Sequence, residues 1–300
     1  MYSGTGEYYL TETPQAFLYA EDGTVADEVL SGWAVQRLDE ENVLSASGEE
    51  RMPVQTHYGY RGYVPPRAMR PVPLEELRRR ESEKKTVVIT KRFADLLAEP
   101  RVQGRIVATL SAGSFLTLAK PAENGYAIAR AADGRHGYLP AACFTERKDS
   151  DGFLLNGSDP GWFLNQKRYG DPGRLRREVV RHAEDFLGVQ YRWGGHSGSG
   201  IDCSGLTFMS YLLSGILIYR DAEIRRGYPV HEIPWKAKQA GDLLYFPGHV
   251  ALYLGGGRYI HSTGYARDFG CVYGNLIAGS EGYRPDLDGA CYAVGSAFYV

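Results

Sequence analysis

The residues richest in chemistry in this chain are Cys203, His249 and His261. Cys203 stands at a glycine-flanked chain reversal, Asp202-Cys203-Ser204-Gly205, soon after Trp193-Gly194-Gly195; both histidines follow on apolar segments. In thiol chemistry the thiolate is the nucleophile, and an ordinary cysteine is mostly protonated at neutral pH. It needs a base beside it and a third group to orient that base, and two downstream histidines fill both roles. This is the equipment of a thiol hydrolase. A zinc site made from the same Cys-His-His set is the rival assembly. It needs a fourth ligand or a water, and no typical ligand spacing is present. No metal and no cofactor is therefore expected.

These residues need elements to position them. Leu206, Phe208, Met209, Tyr211, Leu212 and Leu213 are apolar on nearly all helical faces, which predicts a buried helix beginning at Cys203. The thiol then lies at a positive helix end, where backbone N–H groups and the macrodipole favour an anion and lower a thiol pKa. Gly205 leaves room for close approach of substrate or of neighbouring backbone. His249 opens an alternating run in which His249, Ala251 and Tyr253 face one way and Val250, Leu252 and Leu254 the other. His261 follows Gly255-Gly256-Gly257 and Arg258-Tyr259-Ile260, so a hairpin brings it alongside His249, where one imidazole can fix the tautomer of the other. The remaining histidines have no comparable setting; His182 is expected on a charged helix face. Ahead of the cysteine, Asp171-Pro172 offers a cap and a first-turn proline, Leu175, Val179, Ala183, Phe186 and Leu187 form a helical stripe, and Gly188 is a stop.

The chain has 300 residues, 43% of them apolar, with a formal net charge of -2. That balance gives no electrostatic reason to expect nucleic acid or anionic lipid. No run approaches the length of a membrane span, and the N-terminus lacks a basic and an apolar leader region. A cytoplasmic location is the expectation, with no membrane partner; oligomeric state is not legible. Cys143, Cys271 and Cys291 lie in apolar contexts and are expected to be small buried hydrophobes.

The first half is β-rich, with short apolar runs between turn residues. Gly62-Tyr63-Val64-Pro65 recurs as Gly137-Tyr138-Leu139-Pro140, separated by the mixed-charge stretch 75–85. The echo predicts two small β-barrels, 8–75 and 86–146. Residues 170–300 read as α+β, a helix pair followed by an antiparallel sheet.

Five motifs in order, Tyr191-Arg192-Trp193-Gly194-Gly195, Gly200-Ile201-Asp202-Cys203-Ser204-Gly205-Leu206, Gly241-Asp242-Leu243-Leu244-Tyr245-Phe246, His249 to Gly255, and Tyr259-Ile260-His261-Ser262, resemble the NlpC/P60 cysteine peptidases over roughly 174–300. The two β-rich segments resemble the bacterial SH3-like barrels often fused to that domain, and the whole is similar to γ-D-glutamyl-L-diamino acid endopeptidases. The resemblance implies a papain-like fold with Cys203 as nucleophile, His249 as base and His261 as its orienting group. It implies a murein peptide substrate, L-Ala-γ-D-Glu-diamino acid, with a free amine. Asp221 of Arg220-Asp221-Ala222 would bind that amine, joined by a tyrosine from the first barrel, Tyr60 or the nearby Tyr58; both also read as barrel-surface aromatics. Trp193, Asp202, Ser204 and Arg220 complete the candidate substrate contacts. The chain departs from the family at Tyr219, where proline is common, and in Glu223-Ile224-Arg225-Arg226, where glutamine is frequent. Asp221 as a structural partner of Arg220 is the alternative. At the level of the whole protein the alternatives are a secreted wall hydrolase, a non-catalytic binding protein, and an amidase or transferase on the same scaffold.

Overall fold

The computed structural model describes residues 7–166 and 171–298. The chain divides into two compact units, Met1–Asp159 and Pro160–Val300.

The first unit holds two antiparallel sheets. One runs in the order Val25–Leu30, Gln15–Tyr19, Arg61–Val64, Glu50–Thr56, Ala34–Arg37, Tyr8–Thr11, Met69–Val72, with Val43–Leu44 paired onto Glu50–Thr56. The other runs Ile106–Ser111, Phe93–Leu97, His136–Pro140, Tyr126–Arg130, Phe115–Glu123, Thr86–Ile89, Phe144–Glu146. Matched strand for strand along the chain, with Val43–Leu44 set aside, the two orders are the same. The four-residue echo thus marks a structural repeat, and its glycine has a steric reason. A Cβ on Gly62 would lie 2.7 Å from the Tyr19 carbonyl oxygen, and one on Gly137 2.7 Å from that of Leu97. The strands carrying these glycines pair closely with Gln15–Tyr19 and Phe93–Leu97.

Neither sheet closes, so the expected closed barrels are not observed; each is an open sheet with two end strands. The short last strands suit that position. Met69–Val72 contains Pro71, which has no N–H to give a further neighbour, and Phe144–Glu146 has three residues. The stretch 75–85 is mostly helix, Leu74–Glu83, which buries Leu77 and sends Arg80 to Asp151 at 2.7 Å. Trp33 is fully buried and donates its indole N–H to the Gly113 carbonyl at 2.8 Å, joining the two sheets.

In the second unit Asp171 caps the helix Pro172–Glu184 by accepting from the Gly173 N–H at 2.8 Å. Val179, Ala183 and Phe186 of its stripe are buried, and Gly188 turns the chain at φ 76°. His182 is buried rather than on a charged outer face. Arg176 ties this helix to the sheet through Asp242 at 2.8 Å. The helix Cys203–Leu212 is buried along its whole length. The antiparallel sheet has the order His231–Ile233, Ala293–Ser296, Leu243–Phe246, His249–Gly255, Arg258–Thr263, Gly270–Asn275. Its histidine strand is buried on both faces at Val250, Ala251, Leu252 and Tyr253, because helix covers one side and a second core the other. Cys271 is buried, whereas Cys143 and Cys291 are half-buried, and all four cysteines are free thiols.

Candidate active site

The position of Cys203 is set by the cap of its helix. Asp202 accepts from the Gly205 N–H at 2.6 Å and from the Gly194 N–H at 2.9 Å, so one carboxylate starts the helix and holds the preceding glycine turn. Arg220 grips the same carboxylate with both terminal nitrogens, at 3.1 and 3.2 Å, and donates to Ser204 Oγ at 2.8 Å. A Cβ at Gly205 would collide with the Gly195 carbonyl oxygen, so this glycine admits neighbouring backbone. Ser262 Oγ donates to the Ile201 carbonyl at 2.6 Å, anchoring the His261 strand to the chain just before Cys203.

The hairpin joins the histidines as the spacing required: His249 Nε2 and His261 Nδ1 are 2.8 Å apart. That contact uses His249 Nε2 and leaves Nδ1 outside it. Cys203 also meets the backbone N–H of Val250, the residue after His249. For His249 Nδ1 to accept a proton, its Nε2–H must donate to His261 Nδ1, which puts the His261 proton on Nε2. Among the described residues no protein group hydrogen-bonds that buried Nε2.

The expected fall in the thiol pKa is not found. Burial, then the negative charge of Asp202, push Cys203 up to about 11 against the backbone N–H groups of Val250 and Ser204 and the Arg220 cation. Burial also lowers His249 to about 4, helped by Arg284, and lowers His261 to about 3, helped by His249 and Arg284. Helix-end stabilisation is real but local, and desolvation of the charged form exceeds it here. Both shifts favour the uncharged forms, thiol and neutral imidazole.

The other candidates separate into two groups. Asp202, Ser204 and Arg220 are buried and bonded to one another, and together they brace the start of the Cys203 helix. Trp193 is 68% exposed, and Asp221 is half-buried. Arg220 is paired to Asp202, whereas the Tyr219 hydroxyl bonds to Asp221 and has its pKa raised by burial and by that carboxylate. The family departure at Tyr219 thus supplies a hydroxyl to the acid. Tyr58 is spent inside the first sheet, donating to Asp27 at 2.6 Å. Tyr60 is half-buried in the turn after Glu50–Thr56, its N–H bonded to Thr56 Oγ1 at 3.0 Å. Among the described residues no cluster of three metal-ligating groups occurs.

Two residues near the site were not singled out from sequence. Tyr191 is raised to about 12 by burial and by the negative charge that Cys203 can carry. Arg284 acts on both histidines. Tyr191 lies in the first motif and could have been found there; Arg284 is 23 residues beyond His261 with no spacing to betray it.

Residues 188–275 match the NlpC/P60 family. Over nearly its whole length the chain is similar to dipeptidyl-peptidase 6 of Lysinibacillus sphaericus, 34% identical over 291 residues, 94% of this chain and 97% of that protein. The chain belongs to the NlpC/P60 family. It is a cysteine peptidase. The γ-D-glutamyl-L-lysine dipeptidyl-peptidase of Bacillus subtilis is 37% identical over 97 residues, 28% of this chain and 31% of that protein, so the likeness covers about a third of the relative. In structure the chain is similar to an NlpC/P60 family protein from Bacillus cereus, with a TM-score of 0.69 at 19% identity over 96% of this chain and 98% of that one. A second likeness, to an NlpC/P60 endopeptidase of Photobacterium damselae, has a TM-score of 0.59 at 13% identity over 96% of this chain and 72% of that one. At such identities the likeness shows the fold.

Proposed function

We propose that this peptidase hydrolyses the γ-D-Glu–diamino acid bond of murein peptides that carry a free N-terminal L-Ala, and that it serves the recycling of released wall peptides. The full-length relative is named a dipeptidyl-peptidase and two shorter matches γ-D-glutamyl-L-lysine dipeptidyl-peptidases, and such names describe release of a two-residue unit. The observation that carries the reading is Asp221. It is a half-buried carboxylate one residue from the arginine that clamps the nucleophile's cap. An ammonium docked on it gains a charge-assisted hydrogen bond. A blocked amine would bring no positive charge to this partly desolvated carboxylate, which would keep only neutral partners such as the Tyr219 hydroxyl. In this reading the γ-carbonyl of D-Glu, two residues from that ammonium, is the group that the sulfur attacks.

In the first step Sγ of Cys203 bonds to the γ-carbonyl carbon while the thiol proton passes to His249 Nδ1. The oxyanion is stabilised by donors at the helix start and by the Tyr191 phenol. The C–N bond then breaks, and the diamino acid amine leaves with the proton from His249. Water, deprotonated by the same imidazole, hydrolyses the thioester and frees the thiol. His261 keeps His249 in the tautomer this cycle needs.

We read the two repeated sheets as open SH3-like modules and the catalytic unit as papain-like. The common strand order supports the first, and the cysteine helix packed on the histidine strands supports the second. The test is mass spectrometry of the products from L-Ala-γ-D-Glu-meso-diaminopimelate. Release of L-Ala-γ-D-Glu and free diaminopimelate is expected; cleavage at the L-Ala–D-Glu bond, or no cleavage, would overturn the assignment.

A further inference from the structure

At the far end of the His261 strand is a clamp whose arginine and main carboxylate, Arg284 and Asp286, lie beyond the matched family segment 188–275. Arg284 is 9% exposed and holds Asp286 bidentately, Nε to Oδ1 at 2.8 Å and Nη2 to Oδ2 at 2.6 Å. Its Nη1 donates to Thr263 Oγ1 at 3.3 Å and lies 3.7 Å from Asp268 Oδ2, and the guanidinium covers the Tyr265 ring at 4.2 Å. Thr263 is two residues after His261 on the same strand, so the two side chains share a face. We propose that Arg284 is a positioning residue of the histidine pair: it pins the end of the His261 strand through Thr263, two residues from His261, and holds a positive charge at that strand end, with Asp286 as the opposing charge.

The charges around the pair come from four directions. The cysteine helix presents Cys203 and its cap Asp202, which is itself bonded to Arg220. The histidine hairpin contributes the two imidazoles and Tyr259, stacked edge-on against His261 at 5.0 Å. The loop after the His261 strand brings Asp268, and the segment beyond brings Arg284 and Asp286. Arg284 opposes protonation of both histidines and Asp286 favours it, and for each imidazole the arginine is the larger of the two influences. The arrangement keeps His249 ready to accept a proton over a wide acid range while fixing the strand that orients it. Burial alone would lower both histidines but would not make the pair answer in opposite directions to loss of Arg284 and of Asp286.

Sidechain NMR of the full-length protein tests this without any substrate, following the imidazole C–H signals of the pair, which titrate as a coupled unit. The signals are assigned by comparison with His249→Asn and His261→Asn. Arg284→Gln should move the pair's midpoint to higher pH by about half a unit or more, and Asp286→Asn should move it lower, as expected for single charges nearby. Arg284→Lys, which keeps the charge, should leave the midpoint near that of the wild type. Asp286 is 49% exposed, so its variant remains informative even if Arg284→Gln fails to fold. A midpoint unmoved by Asp286→Asn, or both variants moving it toward 6.5 as simple opening of the site to water would, overturns the proposal. Because the readout is titration rather than hydrolysis, it stands apart from the choice of substrate.

Discussion

At the scale of single residues, sulfur and imidazole carry the account. Cys203→Ala should abolish hydrolysis with the fold retained, checked by turnover and circular dichroism. His249→Ala should lower kcat/KM by about two to four orders of magnitude, since it removes the base. His261→Gln should be milder, because an amide can still accept the His249 N–H; equal and complete loss in both would contradict the division of roles. The resting protonation state is separately testable. With Cys203 raised to about 11 and His249 lowered to about 4, the free enzyme should show no thiolate absorbance at pH 7 relative to Cys203→Ala, and kcat/KM should hold its value down to about pH 5. The proposed roles of all three residues follow from residue type and order, and the meeting of His249 and His261 was legible because a hairpin of that spacing brings them together. The direction of the thiol shift was not, because a helix end is readable in sequence whereas burial of Cys203 depends on the Val250 strand packed against it.

At the scale of elements, the decisive unit is the clamp from Arg220 to Asp202 and on to the Gly194 turn. Cutting a buried, bidentate ion pair leaves the carboxylate without its counter-charge, at a cost of about 3–5 kcal/mol. Arg220→Met should therefore lower the midpoint of thermal unfolding by several degrees and lose activity; a variant of wild-type stability would show that the clamp is idle. Arg220 was visible as part of an Arg-Asp pair, but its partner was not, because Asp202 and Arg220 lie 18 residues apart and meet only in the folded chain. Both catalytic-unit helices, with the cap at Asp171 and the stop at Gly188, followed from local patterns. The repeat of the two sheets showed in four residues because the close approach at Gly62 and Gly137 demands glycine, whereas the strands around them need only be apolar. Their openness has no such signature, since whether a sheet closes depends on pairing between strands far apart in sequence.

At the scale of the whole molecule, buried titratable groups couple stability to pH. His249 and His261 have folded values of about 4 and 3, below their ordinary 6.5. The unfolded chain binds these protons first, so their stabilisation is complete above pH 6.5 and declines as pH falls toward 4 and below. Asp149, held at about 2 against an ordinary 3.8 by Arg147 and His57 despite its burial, adds stability above the carboxylate range that is lost toward pH 2. Urea unfolding midpoints should thus fall between pH 7 and pH 5, and His261→Gln should flatten that fall; a pH-independent midpoint would contradict the buried, neutral pair. The proposed function at this scale rests on the amine. The most direct measurement is the ratio of kcat/KM for L-Ala-γ-D-Glu-meso-diaminopimelate to that for its N-acetylated form, in the wild type and in Asp221→Asn. The wild type should prefer the free peptide strongly, and Asp221→Asn should lower the free-peptide value by about one to two orders of magnitude while nearly sparing the acetylated one. Equal cleavage of both peptides by the wild type, or equal loss on both in the variant, would contradict the account.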